Sequence, residues 1–185
     1  MDILVASNNL NKIREIKEIL KDYSIYSLKE KNINIDVVEN KETFEENAFK
    51  KAKEIYNIVK MPVIADDSGF CVNDLGGFPG VLSNRFLGEG KTDSQRNLDL
   101  INRCSNLTDR SAKFVTVIVY YDGTSKIVGY GEICGNVSLE ERGENGFSYD
   151  RILELENNLT VAELSSSEKM RWALGLKLWI YYQKR

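Results

Sequence analysis

Histidine is absent from all 185 residues of the chain. That absence removes Ser-His-Asp and Cys-His catalysis and the common zinc sites from consideration. Acid–base work is left to carboxylates, lysines or metal-bound water. Cysteine is scarce too: Cys71, Cys104 and Cys134 are odd in number, far apart and without any CxxC spacing. They read as small buried residues of a protein kept in a reducing compartment, the cytoplasm, and not as a disulfide or metal framework. There is no surplus of positive charge, since the formal net charge is −3, so composition gives no reason to expect DNA or RNA as a partner. An anionic ligand must be met locally, by a few lysines or by a metal. No apolar run approaches the roughly 18 residues of a membrane span, and no secretory leader is visible. With 42% hydrophobic residues, the chain reads as a single globular domain over residues 1–185, with enough apolar material for a core and room for two lobes.

The most informative stretch that is present is Ile64-Ala65-Asp66-Asp67-Ser68-Gly69, reached from Met61-Pro62-Val63. Two adjacent carboxylates at the end of a short buried strand are costly unless something positive sits beside them. Neighbouring side chains on a strand point to opposite faces, so one Asp is expected to face a site and the other to support the backbone. At the mouth of an α/β sheet such a pair suits an oxygen-preferring divalent cation such as Mg²⁺. An Asx turn ending the strand is the simpler alternative. Gly76-Gly77-Phe78-Pro79-Gly80 follows, a loop whose glycines let backbone approach a ligand closely. Phe78, Val81 and Leu82 beside it form either core under a loop or a dimer surface.

The rest of the chain alternates between helical and strand patterns without linkers, repeats or low-complexity segments. Ile3–Ala6 is a short buried strand, and Ile13, Ile16 and Leu20 predict a helix from about Asn9 or Leu10. Thr43 and Glu46 form a capping-box signature ahead of a second helix, with Phe44, Ala48, Ala52, Ile55 and Val59 as its apolar stripe. A third helix is expected over Asp93–Arg103. Strands over Ala112–Tyr121 and Lys126–Ile133 are joined by a turn containing Asp122-Gly123, a hairpin signal. A last helix is expected from about Ser167 to Gln183, with Trp172, Leu176, Trp179 and Ile180 on one face. Helix–strand alternation followed by a hairpin predicts an α/β fold with a mixed sheet.

Three further stretches could carry chemistry, each with a plainer alternative. Ser7, Asn9 and Lys12 follow a strand and open a helix, where free N–H groups and a lysine attract phosphate; ordinary capping explains them equally. This is no Walker A loop, because the glycines are missing. Glu45 and Glu46 begin a helix, where capping and a Glu46–Lys50 pair are the plain reading. Arg142–Asp150 is polar and glycine-rich with two aromatics, Phe147 and Tyr149. It makes either a platform for stacking a flat base or a loop whose aromatics tuck into the core.

Taken together, these stretches have the order and spacing of one family. The chain resembles the pyrophosphatases of non-standard purine nucleoside triphosphates, the inosine/xanthosine triphosphatase or Ham1-like family. Ala6-Ser7-Asn8-Asn9-Leu10-Asn11-Lys12 matches its T/S-x-N-x-x-K opening. Thr43-Phe44-Glu45-Glu46-Asn47-Ala48 with Lys51-Ala52 matches T-F-x-E-N-A…K-A. Ala65–Gly69 through Gly76–Val81 matches its longest signature, and Gly143–Asp150 is close to G-x-x-G-F-G-Y-D-P. Ala162-Glu163-Leu164 and Glu168-Lys169 match the start of its last motif.

The resemblance implies a long twisted mixed sheet with helices, in two lobes with the nucleotide between them, usually as a homodimer. It implies Mg²⁺-dependent hydrolysis of a nucleoside triphosphate to monophosphate and pyrophosphate. Carried over by position, Ser7, Asn9 and Lys12 would hold the triphosphate. Glu46 and Asp67 would hold the metal, with Asp67 also activating the attacking water, and Ser68 and Gly69 would line the phosphates. Phe147 would stack on the base, Asp150 would read its edge, and Lys169 would reach the nucleotide. Phosphoryl transfer needs positioning and charge neutralisation, which lysines and Mg²⁺ supply without histidine.

One departure bears on specificity. The family continues from its Glu-Lys pair to a Ser-His-Arg triplet that binds the keto groups of the base. Here the corresponding places hold Ala173, Leu174 and Gly175, and Arg151 replaces the proline after Asp150. Lost donors to a carbonyl edge cost discrimination. Three readings follow: hydrolysis of inosine and xanthosine triphosphates, hydrolysis of a different modified or pyrimidine nucleotide, or a catalytically weak nucleotide-binding protein.

Overall fold

Apolar alternation and helical spacing resolve into six strands and three α-helices among the described residues. The structure is a computed structural model and describes residues 1–7, 9–88, 90–146, 148–165 and 168. In chain order the elements are β1 (Asp2–Val5), α1 (Leu10–Ile19), β2 (Ser24–Ser27), α2 (Phe44–Val59), β3 (Val63–Val72), α3 (Asp93–Cys104), β4 (Ser111–Tyr121), β5 (Lys126–Val137) and β6 (Leu153–Glu154). The strands form one sheet in the order β2-β1-β3-β4-β5-β6. β1 runs parallel to β2 and β3, whereas β5 and β6 are antiparallel. The fold is therefore α/β with a mixed sheet, as the sequence predicts. The expected helix over Ser167–Gln183, with its tryptophan stripe, lies outside the described residues.

The chain divides into two compact units. The first comprises Met1–Asp67 and Thr116–Tyr130. Its core packs Ile3, Val5, Ile25 and Ile64 of the strands against Ile13 of α1, with Ile16 and Leu20 alongside. The β1–α1–β2 and β2–α2–β3 crossovers lead in opposite directions along the sheet, so right-handed connections put α1 and α2 on opposite faces. The second comprises Ser68–Val115 and the described part of Gly131–Arg185. Its core gathers Phe70 and Val72 of β3, Leu100 and Ile101 of α3, and Ile152 and Leu153.

Several elements differ from expectation. β3 does not stop at the Asp pair but runs on to Val72, because Phe70 and Val72 are fully buried in the second core. The Asp pair thus sits inside a strand and makes no terminal Asx turn. At α2, Thr43 Oγ1 accepts from the Glu46 N–H (3.2 Å) as expected, but the Glu46 carboxylate takes the Thr43 hydroxyl (3.0 Å). Complete capping boxes stand instead at α3, between Thr92 and Gln95, and at the 3₁₀ turn of Val161–Glu163, between Thr160 and Glu163. Cys71 and Cys104 are buried as expected, whereas Cys134 on β5 is exposed. Gly76, Gly77 and Gly80 take φ of 64°, 83° and 57°, with nothing within 4 Å of where a Cβ would be. Their role here is the left-handed turn itself. Phe78 packs against the second core and meets Phe86 edge-on at 5.1 Å, while Leu82 is 41% exposed.

Candidate active site

Asp66 and Asp67 are both buried, at 8% and 7% exposure. A bare buried carboxylate is strongly disfavoured, and each is met by polar partners from a different helix. Asp66 shares its face of β3 with Ile64, the face toward α1. Its Oδ2 is ion-paired with Lys12 Nζ from the first turn of that helix. Asp67 points the other way, with Val63 and Ala65, toward α2. There Asn47 Nδ2 donates to Asp67 Oδ2 (2.9 Å). Asn47 is itself 1% exposed and held by the Lys41 N–H, which donates to its Oδ1 (2.8 Å). One turn along α2, Lys51 Nζ donates to the Asp66 carbonyl (2.9 Å) and ion-pairs with Glu39.

The start of α1 is built by its own side chains. The Asn9 N–H donates to Ser7 Oγ (3.2 Å), and the Lys12 N–H donates to Asn9 Oδ1 (3.3 Å). Asn9 is thus an N-cap that orients the first turn and, with it, Lys12. Glu46 is exposed, and its carboxylate accepts from Thr43. Among the described residues no three Asp, Glu, Cys or His side chains converge on one point as a ready-made metal cage.

In the second unit, Ser68 and Gly69 lie within β3, and Asp150 lies in a 3₁₀ turn over Ser148–Arg151. Tyr149 anchors that turn: it is buried, stacks on Phe70 at 5.0 Å and donates its hydroxyl to the Ser83 carbonyl. Burial pushes its phenol well above the ordinary value, so it acts as a neutral donor. Tyr149 thus tucks into the core, one of the two alternatives the sequence offers for this loop.

A family model described as the Ham1 family matches residues 3–173. The chain belongs to the Ham1 family. It is 42% identical over 179 residues to a dITP/XTP pyrophosphatase of Aquifex aeolicus, across 91% of this chain and 88% of the relative. It is 45% identical over 178 residues to a dITP/XTP pyrophosphatase of Clostridium perfringens, across 90% and 87%. Among solved structures, the Ham1 protein of Staphylococcus aureus superposes with a TM-score of 0.89 at 37% identity, over the whole of both chains. A HAM1 protein from Coxiella burnetii gives 0.91 at 31%, again over both whole chains.

Within the first unit, the Ham1 motifs bring Lys12 to Asp66 and place Asp67 against α2, with Ser7 and Asn9 at the helix start that carries Lys12. Glu46 is tied instead to its own helix cap. Phe147, Lys169 and the Ala173-Leu174-Gly175 stretch lie outside the described residues. Sequence reasoning passed over Asn47, Lys51 and Glu39 as site residues. The first two carried a signal, because they stand four apart inside the matched helix motif and so share one helix face. Glu39 had none: it lies outside helix and strand, with no periodicity around it.

Proposed function

We propose that this Ham1-family chain hydrolyses non-standard purine nucleoside triphosphates, such as dITP, ITP and XTP, to the monophosphate and pyrophosphate, clearing them from the nucleotide pool. The observation that carries this reading is identity of 42% and 45%, over about nine-tenths of the chain, with relatives named dITP/XTP pyrophosphatases. The paired buried carboxylates give it a chemical basis.

Mg²⁺ is the metal proposed. Asp67 is a buried hard-oxygen donor held in orientation by Asn47, and Mg²⁺ commonly takes one or two carboxylates and completes its shell with phosphate oxygens and water. Asp67 and Glu46 would hold it, with Glu39 a further carboxylate joined to Asp66 through Lys51. When bound, the ion neutralises triphosphate charge and polarises the phosphoryl centre. Asp67 accepts a proton from the attacking water, its carboxylate plane set by Asn47. Lys12, steered by Asp66, binds a phosphate, beside Ser7 and Asn9. Ser68 and Gly69 present backbone to the phosphates. Phe147 stacks on the base, Asp150 reads its edge and Lys169 reaches the nucleotide. One domain over residues 1–185, a cytoplasmic location and a homodimer belong to the same proposal, the last checked by sedimentation equilibrium. No helix among the described residues is long and apolar enough to cross a membrane.

The test is pyrophosphate release with Mg²⁺ over a panel of inosine, xanthosine, standard and oxidised or methylated nucleoside triphosphates. Asp67→Asn should lower kcat about a thousandfold while the variant stays folded. A variant with wild-type turnover removes Asp67 from the chemistry. Ala173, Leu174 and Gly175, standing where the family has Ser-His-Arg, favour a second reading in which the preferred base is a different modified or pyrimidine one. Preference for such a nucleotide selects that reading, and absence of all turnover selects a nucleotide-binding protein.

A further inference from the structure

One buried polar cluster in the second unit has no task in the mechanism above. Asn97 on α3 is 0% exposed. Its Nδ2 donates to Glu141 Oε1 (2.7 Å) and to the Ser148 carbonyl (3.0 Å). The other oxygen of Glu141 accepts from Ser94 Oγ (2.6 Å), one turn back on the same helix. Both amide protons of Asn97 are thereby committed, while its Oδ1 and the Ser148 hydroxyl are buried without a hydrogen-bond partner among the described residues. Ser148 also stands at φ +52°, a left-handed conformation in which glycine costs less.

Packing alone explains neither residue. A leucine at 97 would remove the orphaned Oδ1 but strand the Ser148 carbonyl and Glu141, so Asn97 is kept for what its amide holds, and a glycine at 148 would relieve the backbone. The costs fall together where α3 grips the carbonyl that opens the turn carrying Asp150. We infer that Asn97, oriented by Glu141, is a positioning residue for base recognition: it fixes the Ser148 peptide, and with it the direction from which Asp150 meets the purine edge. The inference rests on the proposed function and needs no contact between Asn97 and nucleotide.

The two bonds of Asn97 separate stability from recognition. Asn97→Asp is nearly isosteric but sets a carboxylate against both Glu141 and the Ser148 carbonyl. In the double variant Asn97→Asp/Glu141→Gln, the new amide at position 141 donates to the carboxylate introduced at position 97, while the Ser148 carbonyl still has no donor. The measurements are Tm and the ratio of kcat/KM for dITP over dGTP. The ratio is informative because a loosened fold lowers both rates together. The single variant should lose both Tm and ratio, the latter about tenfold. The double variant should recover the part of Tm lost to the Glu141 clash and keep the low ratio, and Glu141→Gln alone, whose amide oxygen still accepts from Asn97, should keep the wild-type ratio. An unchanged ratio in Asn97→Asp, or a ratio that returns with Tm in the double variant, overturns the inference while leaving the proposed function intact. A wild-type ratio near one also overturns it. A wild-type protein that turns over no purine triphosphate overturns the proposed function and the inference together.

Discussion

At the scale of single residues, the candidate site is arranged by pairing each buried carboxylate with a donor from its own side of the sheet. Asp66 has Lys12 and Asp67 has Asn47, so the strand's alternation assigns the two carboxylates to different helices. That division was legible in Asp66-Asp67 as adjacent strand residues; their partners were not, because the contacts span 54 and 20 residues of chain. Ser148 gives a prediction at the same scale. Its positive φ and orphaned hydroxyl are both removed by glycine, and its carbonyl, which Asn97 holds, is retained. Ser148→Gly should therefore stabilise the protein by about 1 kcal/mol, read as a higher midpoint in urea unfolding, with the dITP-over-dGTP ratio unchanged.

At the scale of elements, the helices were the most legible part of the sequence and the interrupted strands the least. Thr43 and the apolar stripe behind it announce α2, and the observed Phe44–Val59 follows them closely. β2 has only four residues, Ser24–Ser27, too few for alternation to stand out, and it exists because β1 supplies a parallel neighbour. The sequence predicts a shorter β3, because Asp, Ser and Gly favour turns; two partnered carboxylates and two buried apolar residues override that preference. The turn after β2 is fastened by Glu30, which accepts from the Ser27 N–H (2.7 Å) and from Lys17 of α1 (2.8 Å). The Lys17 bond first, then the Ser27 bonds, hold the Glu30 carboxyl at about 2 against an ordinary 4.5. A folded value below the unfolded one gives stability that is complete above the unfolded value and is lost as pH falls toward the folded one. Glu30→Gln should thus be less stable than wild type near pH 6, with the difference closing between about pH 4.5 and about pH 2. Because the pair is exposed, added salt should shrink it. Equal acid limbs in urea titrations of the two proteins would remove Glu30 from the account.

At the scale of the whole molecule, each unit has its own core, and cysteine reports on both the packing and the surface. Burial raises the thiols of Cys71 and Cys104, and desolvation with a neighbouring Glu132 raises that of exposed Cys134. A thiol reagent at mildly alkaline pH should therefore label one cysteine slowly in the native protein and all three after denaturation. Rapid labelling of a second thiol in the native state would contradict the burial of Cys71 or Cys104. Neither unit is a continuous stretch of chain, since β3, β4 and β5 each pass from one to the other, after Asp67, Val115 and Tyr130. No single gene fragment encodes either unit, and exchanging one between homologous genes would require three coordinated crossovers. A lineage carrying this architecture is thus steered toward changing its nucleotide preference by point substitution within a fixed frame, and away from acquiring a new half by recombination.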